Sequence, residues 1–152
     1  MADSQGASPR RLAMNWLARR EHTLAELRAK LEAREVPDDQ IERTLAELAG
    51  EGLASDARFA EAFTASRVRR GQGPVRIRAE LQRRGVDPVL IASQLDDAAV
   101  DWLASARRVR EKKFGLSRPQ DFNERARQAR FLQYRGFSSE QIRCALDTET
   151  QP

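Results

Sequence analysis

The sequence predicts an all-α fold, an elongated array of three tandem three-helix repeats with about nine short helices. Three observations carry this prediction. First, aligning Leu31, Leu81 and Leu132 puts Arg34, Arg84 and Arg135 in register three residues later, and Val36, Val86 and Phe137 at five. Ile41, Ile91 and Ile142 follow at ten, and Leu45, Leu95 and Leu146 at fourteen, so the copies are offset by 50 and 51 residues. A fixed period of this size signals stacked units, each burying its apolar face against its neighbours. Second, apolar residues recur at helical spacing between capping signals. Third, no stretch alternates as a strand would between turn residues.

The elements follow in order. Residues 1–7 are small, polar and aperiodic, and are expected to be disordered. Unit one, residues 8–50, opens with Ser8 as N-cap and Pro9 at the first helical position, then runs through Leu12, Ala13, Trp16 and Leu17 to near Glu21 and His22. Thr23 and Glu26 form a capping box before Leu24, Leu27 and Leu31, and a third helix covers Asp38 to Ala49.

Unit two, residues 51–97, starts at a cap on Ser55 or Asp56 and carries Phe59, Ala60 and Phe63. Gly71-Gln72-Gly73-Pro74 breaks that helix, and Pro74 opens the next, with Val75, Ile77 and Leu81 apolar. Gly85 fits the position after a helix end, and Asp87-Pro88 starts the segment to Asp97. Unit three, residues 98–147, opens with a helix from Ala98 to about Phe114 bearing Trp102, Leu103 and Val109. Asp121 starts a helix that Gly136 ends, and Ser138 to Gln141 cap the last one. The tail 148–152 is expected to fray. Trp16, Phe59, Phe63, Leu81, Gly85, Trp102, Leu132 and Gly136 are the expected structural posts.

Composition narrows the class. Hydrophobic residues make up 40% and charged residues 33%, which leaves a thin core distributed over the units. The N-terminus has no apolar leader and no run approaches a membrane span, so a cytoplasmic chain is expected. A single Cys144 excludes an internal disulfide framework and a cysteine-rich zinc site. His22 is the only histidine, which removes His-based triads and metal pairs; it is expected to complement a helix dipole. Gly71-Gln72-Gly73 lacks the Lys-Ser/Thr of a phosphate loop and follows a helix. No catalytic residue, metal or cofactor is expected, and the chain reads as a binding protein.

The net charge of +4 is uneven, at −1 over residues 1–50, +1 over 51–97 and +4 over 98–152. Between Arg67 and Arg84 there are seven arginines and one acid, Glu80. Arg67 and Arg70 continue the apolar stripe of their helix, so each either pairs with a carboxylate (Asp56 or Glu80) or points into a groove. Arg69 lies off the stripe. Arg76 and Arg83 share one outer face, flanked by Arg78 and Arg84. Unit three adds Arg107, Arg108, Arg110, Lys112, Lys113, Arg125, Arg127 and Arg130. If the units stack as a solenoid, equivalent helices line one concave side and these charges form a continuous basic lane for a nucleic-acid backbone or an acidic protein surface. The candidate contacts are Arg69, Arg76, Arg83, Arg107, Arg108, Lys112, Lys113, Arg127 and Arg130. Only Phe114, Phe131 and Tyr134 interleave with them, and core packing is the expected role of both phenylalanines.

The stretches GLASDARFAEAF, SRVRRGQGPVRIRAELQRRGV and RFLQYRGFSSEQI resemble the RecX family, bacterial modulators of the recombinase RecA, as does the opening MNWLARREHTLAELRAKL. The resemblance spans roughly residues 10–147 and is most specific at Asp56, Arg58, Phe59, Ala60 and Phe63, then Arg67, Gly71, Ile77, Leu81 and Gly85. It implies a non-catalytic regulator that binds RecA and the RecA–single-stranded-DNA filament, lying in the filament groove and limiting its extension. The implied effects are inhibition of the ATPase, of strand exchange and of the co-protease activity behind the SOS response. The resemblance also implies a link to DNA binding. A monomer is expected, with direct DNA contact left open.

Two other readings compete. The last two helices of each unit match a helix-turn-helix in length, which suggests a sequence-specific DNA-binding protein. The second helices of those pairs are, however, poor in residues that read base edges. A helical-repeat adaptor that binds a protein and never touches DNA is the other, because an arginine-rich surface also suits an acidic groove.

Overall fold

The computed structural model describes residues 6–96 and 100–147, and nine helices lie wholly within them, with no strand among the described residues. Unit one holds α1 (Pro9–Arg19), α2 (Leu24–Ala33) and α3 (Asp38–Gly50). Unit two holds α4 (Asp56–Arg69), α5 (Pro74–Arg83) and α6 (Pro88–Leu95). Unit three holds α7 (Trp102–Phe114), α8 (Phe122–Arg135) and α9 (Ser139–Asp147).

Most helix starts are set by a side chain that accepts from an orphan amide. Ser8, Ser55, Asp101 and Asp121 each take the amide three residues on, at 2.8–3.1 Å. Thr23 and Glu26 form the full reciprocal box, and Ser138 and Gln141 repeat it. At unit two the cap is Ser55, not Asp56. Unit three differs from its sequence reading at its start: Asp101 caps α7, so the helix opens at Trp102 rather than Ala98, and α6 stops at Leu95 rather than Asp97. Residues 97–99 lie outside the described residues, as do most of the expected disordered N-terminus and the tail from Thr148.

Each unit has its own small core. Ala13, Leu27, Leu31, Ile41, Leu45 and Leu48 fill the first, with Trp16 packed on its edge. Phe59, Ala60, Ile77, Leu81, Ile91 and Leu95 fill the second, and Ala106, Leu132, Phe137 and Ala145 the third. Trp102 packs against both of the last two and donates its indole N–H to the Leu95 carbonyl at 2.9 Å, which ties unit three to unit two. Phe63 is half-buried, so this post is less enclosed than its place on the stripe suggested.

The middle helices meet end to end. The N-terminal turn of α2 abuts the C-terminal end of α5, with Thr23 Oγ1 donating to the Arg84 carbonyl at 2.7 Å. The N-terminal turn of α5 abuts the end of α8 in the same way, with the Gly73 and Val75 amides donating to the Arg135 and Gly136 carbonyls at 2.8 and 2.9 Å. At the second junction, amides left free at one helix start therefore satisfy carbonyls left free at the end of the next, and at the first a side-chain hydroxyl takes that part.

Glycine is required where the chain turns out of these ends. Gly85 and Gly136 have φ of 81° and 97°, and an added Cβ would come within 2.3 Å of Ala25 Cβ or Arg76 Cβ respectively. The matching position of unit one is Glu35, which holds φ 60° with a side chain. Among the described residues no further unit abuts that end, and Glu35 is exposed, so no neighbour there forbids a Cβ.

Candidate functional site

The arginines divide into those answered by carboxylates and those that are not. Glu80 takes two of them, with Arg67 Nη2 at 3.3 Å and Arg76 Nε at 3.7 Å. Arg67 is largely enclosed and stacks over Phe63 at 4.5 Å, so it is ion-paired and packed in this structure. Asp56 is not its partner; its carboxylate accepts from the Leu24 amide at 2.8 Å and so belongs to the first junction. Arg84 pairs with Glu26 at 3.4 Å and lies over the Phe59 and Phe63 rings. Arg78 pairs with Asp96, Arg125 with Asp147, and Arg127 with Glu124.

Glu26 gathers the first junction. It accepts from Arg20 at 3.1 Å and from the Thr23 amide as well as facing Arg84. Burial opposes its charged form, yet the hydrogen bonds from Arg20 and Thr23 and the two nearby guanidinium charges together hold its carboxyl below the ordinary range. His22 is buried beside it, with Nδ1–H donating to the Arg20 carbonyl at 3.0 Å. Burial, reinforced by the Arg20 charge, outweighs that hydrogen bond and lowers its pKa. A neutral, enclosed imidazole replaces the charged dipole partner expected from the sequence.

Arg110 is a further correction. The sequence places it among the basic residues of unit three, but it is fully buried. Its Nη1 donates to the Ser117 carbonyl at 3.1 Å and lies 3.5 Å from Gln128 Oε1, pinning the loop after α7 against α8. Its position four residues after Ala106 and eight after Trp102 was the available signal, since that places it on the inward stripe of α7.

Cations without a carboxylate partner line two concave places, among others. The first is a shallow depression of about 470 Å³ on α5, lined by Arg76, Glu80, Arg83 and Arg84. Arg83 is exposed and has no carboxylate partner among the described residues, while Arg76 stacks over the exposed Tyr134 ring at 5.5 Å. The second is a cleft of about 540 Å³ between units two and three. Arg69 and Arg70 come from the end of α4, Arg108, Lys112 and Lys113 from α7, and Arg135 from α8. Its apolar lining is Val68, Val109 and Phe131. Phe131 is set edge-on against Phe114 at 5.3 Å, and Arg135 is fixed by donating to the Arg70 carbonyl at 2.9 Å.

The nine candidate contacts are thus not equivalent. Arg69, Arg108, Lys112 and Lys113 converge on the cleft, and Arg76 and Arg83 on the other surface. Arg107 and Arg130 line neither, and Arg127 is held by two contacts of 3.0 Å to Glu124 and lies over Phe114 at 5.0 Å. Arg135 also lines the cleft, and its recurrence with Arg34 and Arg84 is the sequence signal that marks the position. Among the described residues, no group of three or more acidic, histidine or cysteine side chains could hold a metal ion. Among the described residues, no helix is long and apolar enough to cross a membrane.

End-to-end three-helix units, with cations lining a depression on α5 and a cleft between units two and three, define a helical-repeat protein. Comparison with known proteins makes this specific. Family models for the first, second and third three-helix domains of RecX match residues 10–48, 55–95 and 99–146. The regulatory protein RecX of Halorhodospira halophila is 51% identical over 95% of this chain and 91% of its own length. That of Pseudomonas entomophila is also 51% identical, over 88% of this chain and 86% of its own. The crystal structure of RecX from Lactobacillus salivarius superposes with a TM-score of 0.79 at 20% identity, covering 95% and 96% of the two chains. The chain belongs to the RecX family.

Proposed function

We propose that this chain is a non-catalytic regulator of the recombinase RecA. It binds RecA and the RecA–single-stranded-DNA filament, occupies the filament groove and limits filament extension. Inhibition of the RecA ATPase, strand exchange and co-protease activity follows, which places the chain in cytoplasmic control of recombinational DNA repair and the SOS response. Membership of the RecX family across all three units is the observation that carries this reading.

The architecture supports it. A chain whose units meet end to end presents several contact surfaces at fixed spacing, and weak contacts repeated along a regular filament gain affinity through effective concentration. Arg83 and Arg76 on α5 are the partner contacts proposed for the middle unit, with Arg107 and Arg130 contributing from unit three. Arg127, already engaged by Glu124, contributes less.

A sedimentation titration onto preformed RecA filaments tests this. Wild-type chain co-sediments, and an Arg83→Glu variant with unchanged helicity binds about tenfold more weakly or worse. Unchanged affinity of that variant removes α5 from the interface, and absence of co-sedimentation by wild type removes the reading itself.

A further inference from the structure

We propose that the depression on α5 takes carboxylates of an acidic protein segment in exchange for the chain's own Glu80 and Glu26, so that partner binding and the setting of the three units against one another are a single event. This rests on the reading of α5 as a partner face, and adds what that face recognises and what binding does to the chain.

Arg76, Glu80 and Arg84 follow one another at four-residue spacing on one face of α5. Each reaches a different element. Arg84 Nη1 lies 3.4 Å from Glu26 of unit one, and its guanidinium covers the Phe63 ring at 5.2 Å. Arg67 covers the same ring at 4.5 Å and pairs with Glu80 at 3.3 Å. Glu80 also faces Arg76 at 3.7 Å, and Arg76 lies over Tyr134 of unit three at 5.5 Å. An unbroken series of charge and ring contacts therefore runs from unit one to unit three across unit two. Apolar ties between the units are few by comparison: among the described residues the first two cores share no side chain, and Trp102 alone belongs to the last two.

The pattern of charge selects the occupant. Arg76, Glu80, Arg83 and Arg84 line the depression, with the acid between the cations on the helix. A strand with an anion at every step would set one of them against Glu80. Carboxylates spaced along a protein segment meet Arg76 at one end and Arg83 and Arg84 at the other, and leave the middle clear. Arg83 is exposed and has no carboxylate partner among the described residues, so it attracts the segment before any internal pair opens.

The internal pairs are suited to exchange. Arg76 and Arg84 are each partly exposed, and ion pairs of that kind contribute little, so an incoming carboxylate replaces them at small net cost. Exchange at Arg84 releases Glu26 of unit one, and exchange at Arg76 draws on the residue that touches Tyr134 of unit three. The Thr23–Arg84 and Gly73–Arg135 hydrogen bonds stay as the two pivots.

Removing the internal competitor gives a result of opposite sign to a merely structural role. Glu80→Gln is sedimented onto preformed RecA–single-stranded-DNA filaments beside wild type and Glu61→Gln, an exposed carboxylate of the same unit, all checked for wild-type helicity. Glu80→Gln is expected to bind about two- to fivefold more tightly, and Glu61→Gln as wild type does. Unchanged or weaker binding by Glu80→Gln, or equal tightening in both variants, would overturn the exchange. Small-angle X-ray scattering of the free chain reads the second half. Hexaglutamate is expected to shift the wild-type profile, Glu80→Gln alone to shift it part of the way in the same direction, and Arg83→Glu to lose the response. A profile that hexaglutamate leaves unchanged would overturn the coupling, and an equal shift by inorganic tripolyphosphate would overturn the selection for carboxylates. If wild type fails to sediment with filaments, the functional reading fails, and the hexaglutamate measurement decides the exchange by itself.

Discussion

The Thr23 hydroxyl donates to the Arg84 carbonyl oxygen at 2.7 Å, joining residues 61 apart in the chain. Fifty residues further on the Gly73 amide does the same for Arg135 at 2.8 Å. The repeat is therefore preserved in the junctions as well as in the cores. The donor changes from a hydroxyl to an amide because α2 is capped by its own box, whereas α5 starts without a side-chain cap.

These junctions give the two glycines and Glu35 opposite responses to substitution. Gly85→Ala is expected to lose about 2–4 kcal/mol, combining the left-handed backbone with the contact on Ala25. Glu35→Gly relieves the same backbone conformation where nothing abuts it, and is expected to gain up to about 1 kcal/mol. Urea denaturation of both variants checks the pair. A similar change in each would mean the junction is not responsible.

The first junction should respond to acid in two stages. His22 has a lowered pKa in the folded state, so its contribution is present above the unfolded value of about 6.5 and is lost as pH falls below it. Glu26 is also depressed, so its contribution is present above about 4.3 and is lost below that. Stability measured against pH should therefore fall from about pH 6.5 and again below about pH 4.3. His22→Gln should flatten the upper stage alone, and Glu26→Gln should cost about 1–3 kcal/mol at neutral pH while flattening the lower. A wild-type profile level from pH 7 to 5 would contradict the buried neutral histidine.

Two aromatic posts of unit two should separate in the same way. Phe59 is buried and Phe63 only half so, although the rings stack at 5.7 Å. Phe59→Ala is expected to cost about 3–5 kcal/mol and Phe63→Ala nearer about 2 kcal/mol. Equal melting temperatures for the two variants would show that the Arg67 and Arg84 contacts carry as much as burial.

The fold was legible because its determinants are local. Capping residues, the Gly-Gly-Pro break and the registered leucines act within one helix or one unit, and helix period identifies them. The surface was legible only in composition. Whether an arginine is free depends on which carboxylate arrives from another element: Glu80 reaches back to Arg67, and Asp56 turns instead to Leu24. Arg110 shows the same limit, since a charge on an inward stripe can be buried against loop carbonyls that no sequence spacing reveals. The end-to-end junctions also lay beyond reach, because the repeat fixes which helices are equivalent but not how they meet.

The RecA single-strand-dependent ATPase, followed as this chain is titrated in, tests the central claim most directly. The titration is run beside Arg83→Glu, since Arg76 also contacts Tyr134 and Glu80 at the second junction and its reversal would disturb the fold. The account predicts inhibition well below one chain per RecA, shifted to higher concentration by the variant. No inhibition, or inhibition only once the chain saturates the single strand itself, would contradict it.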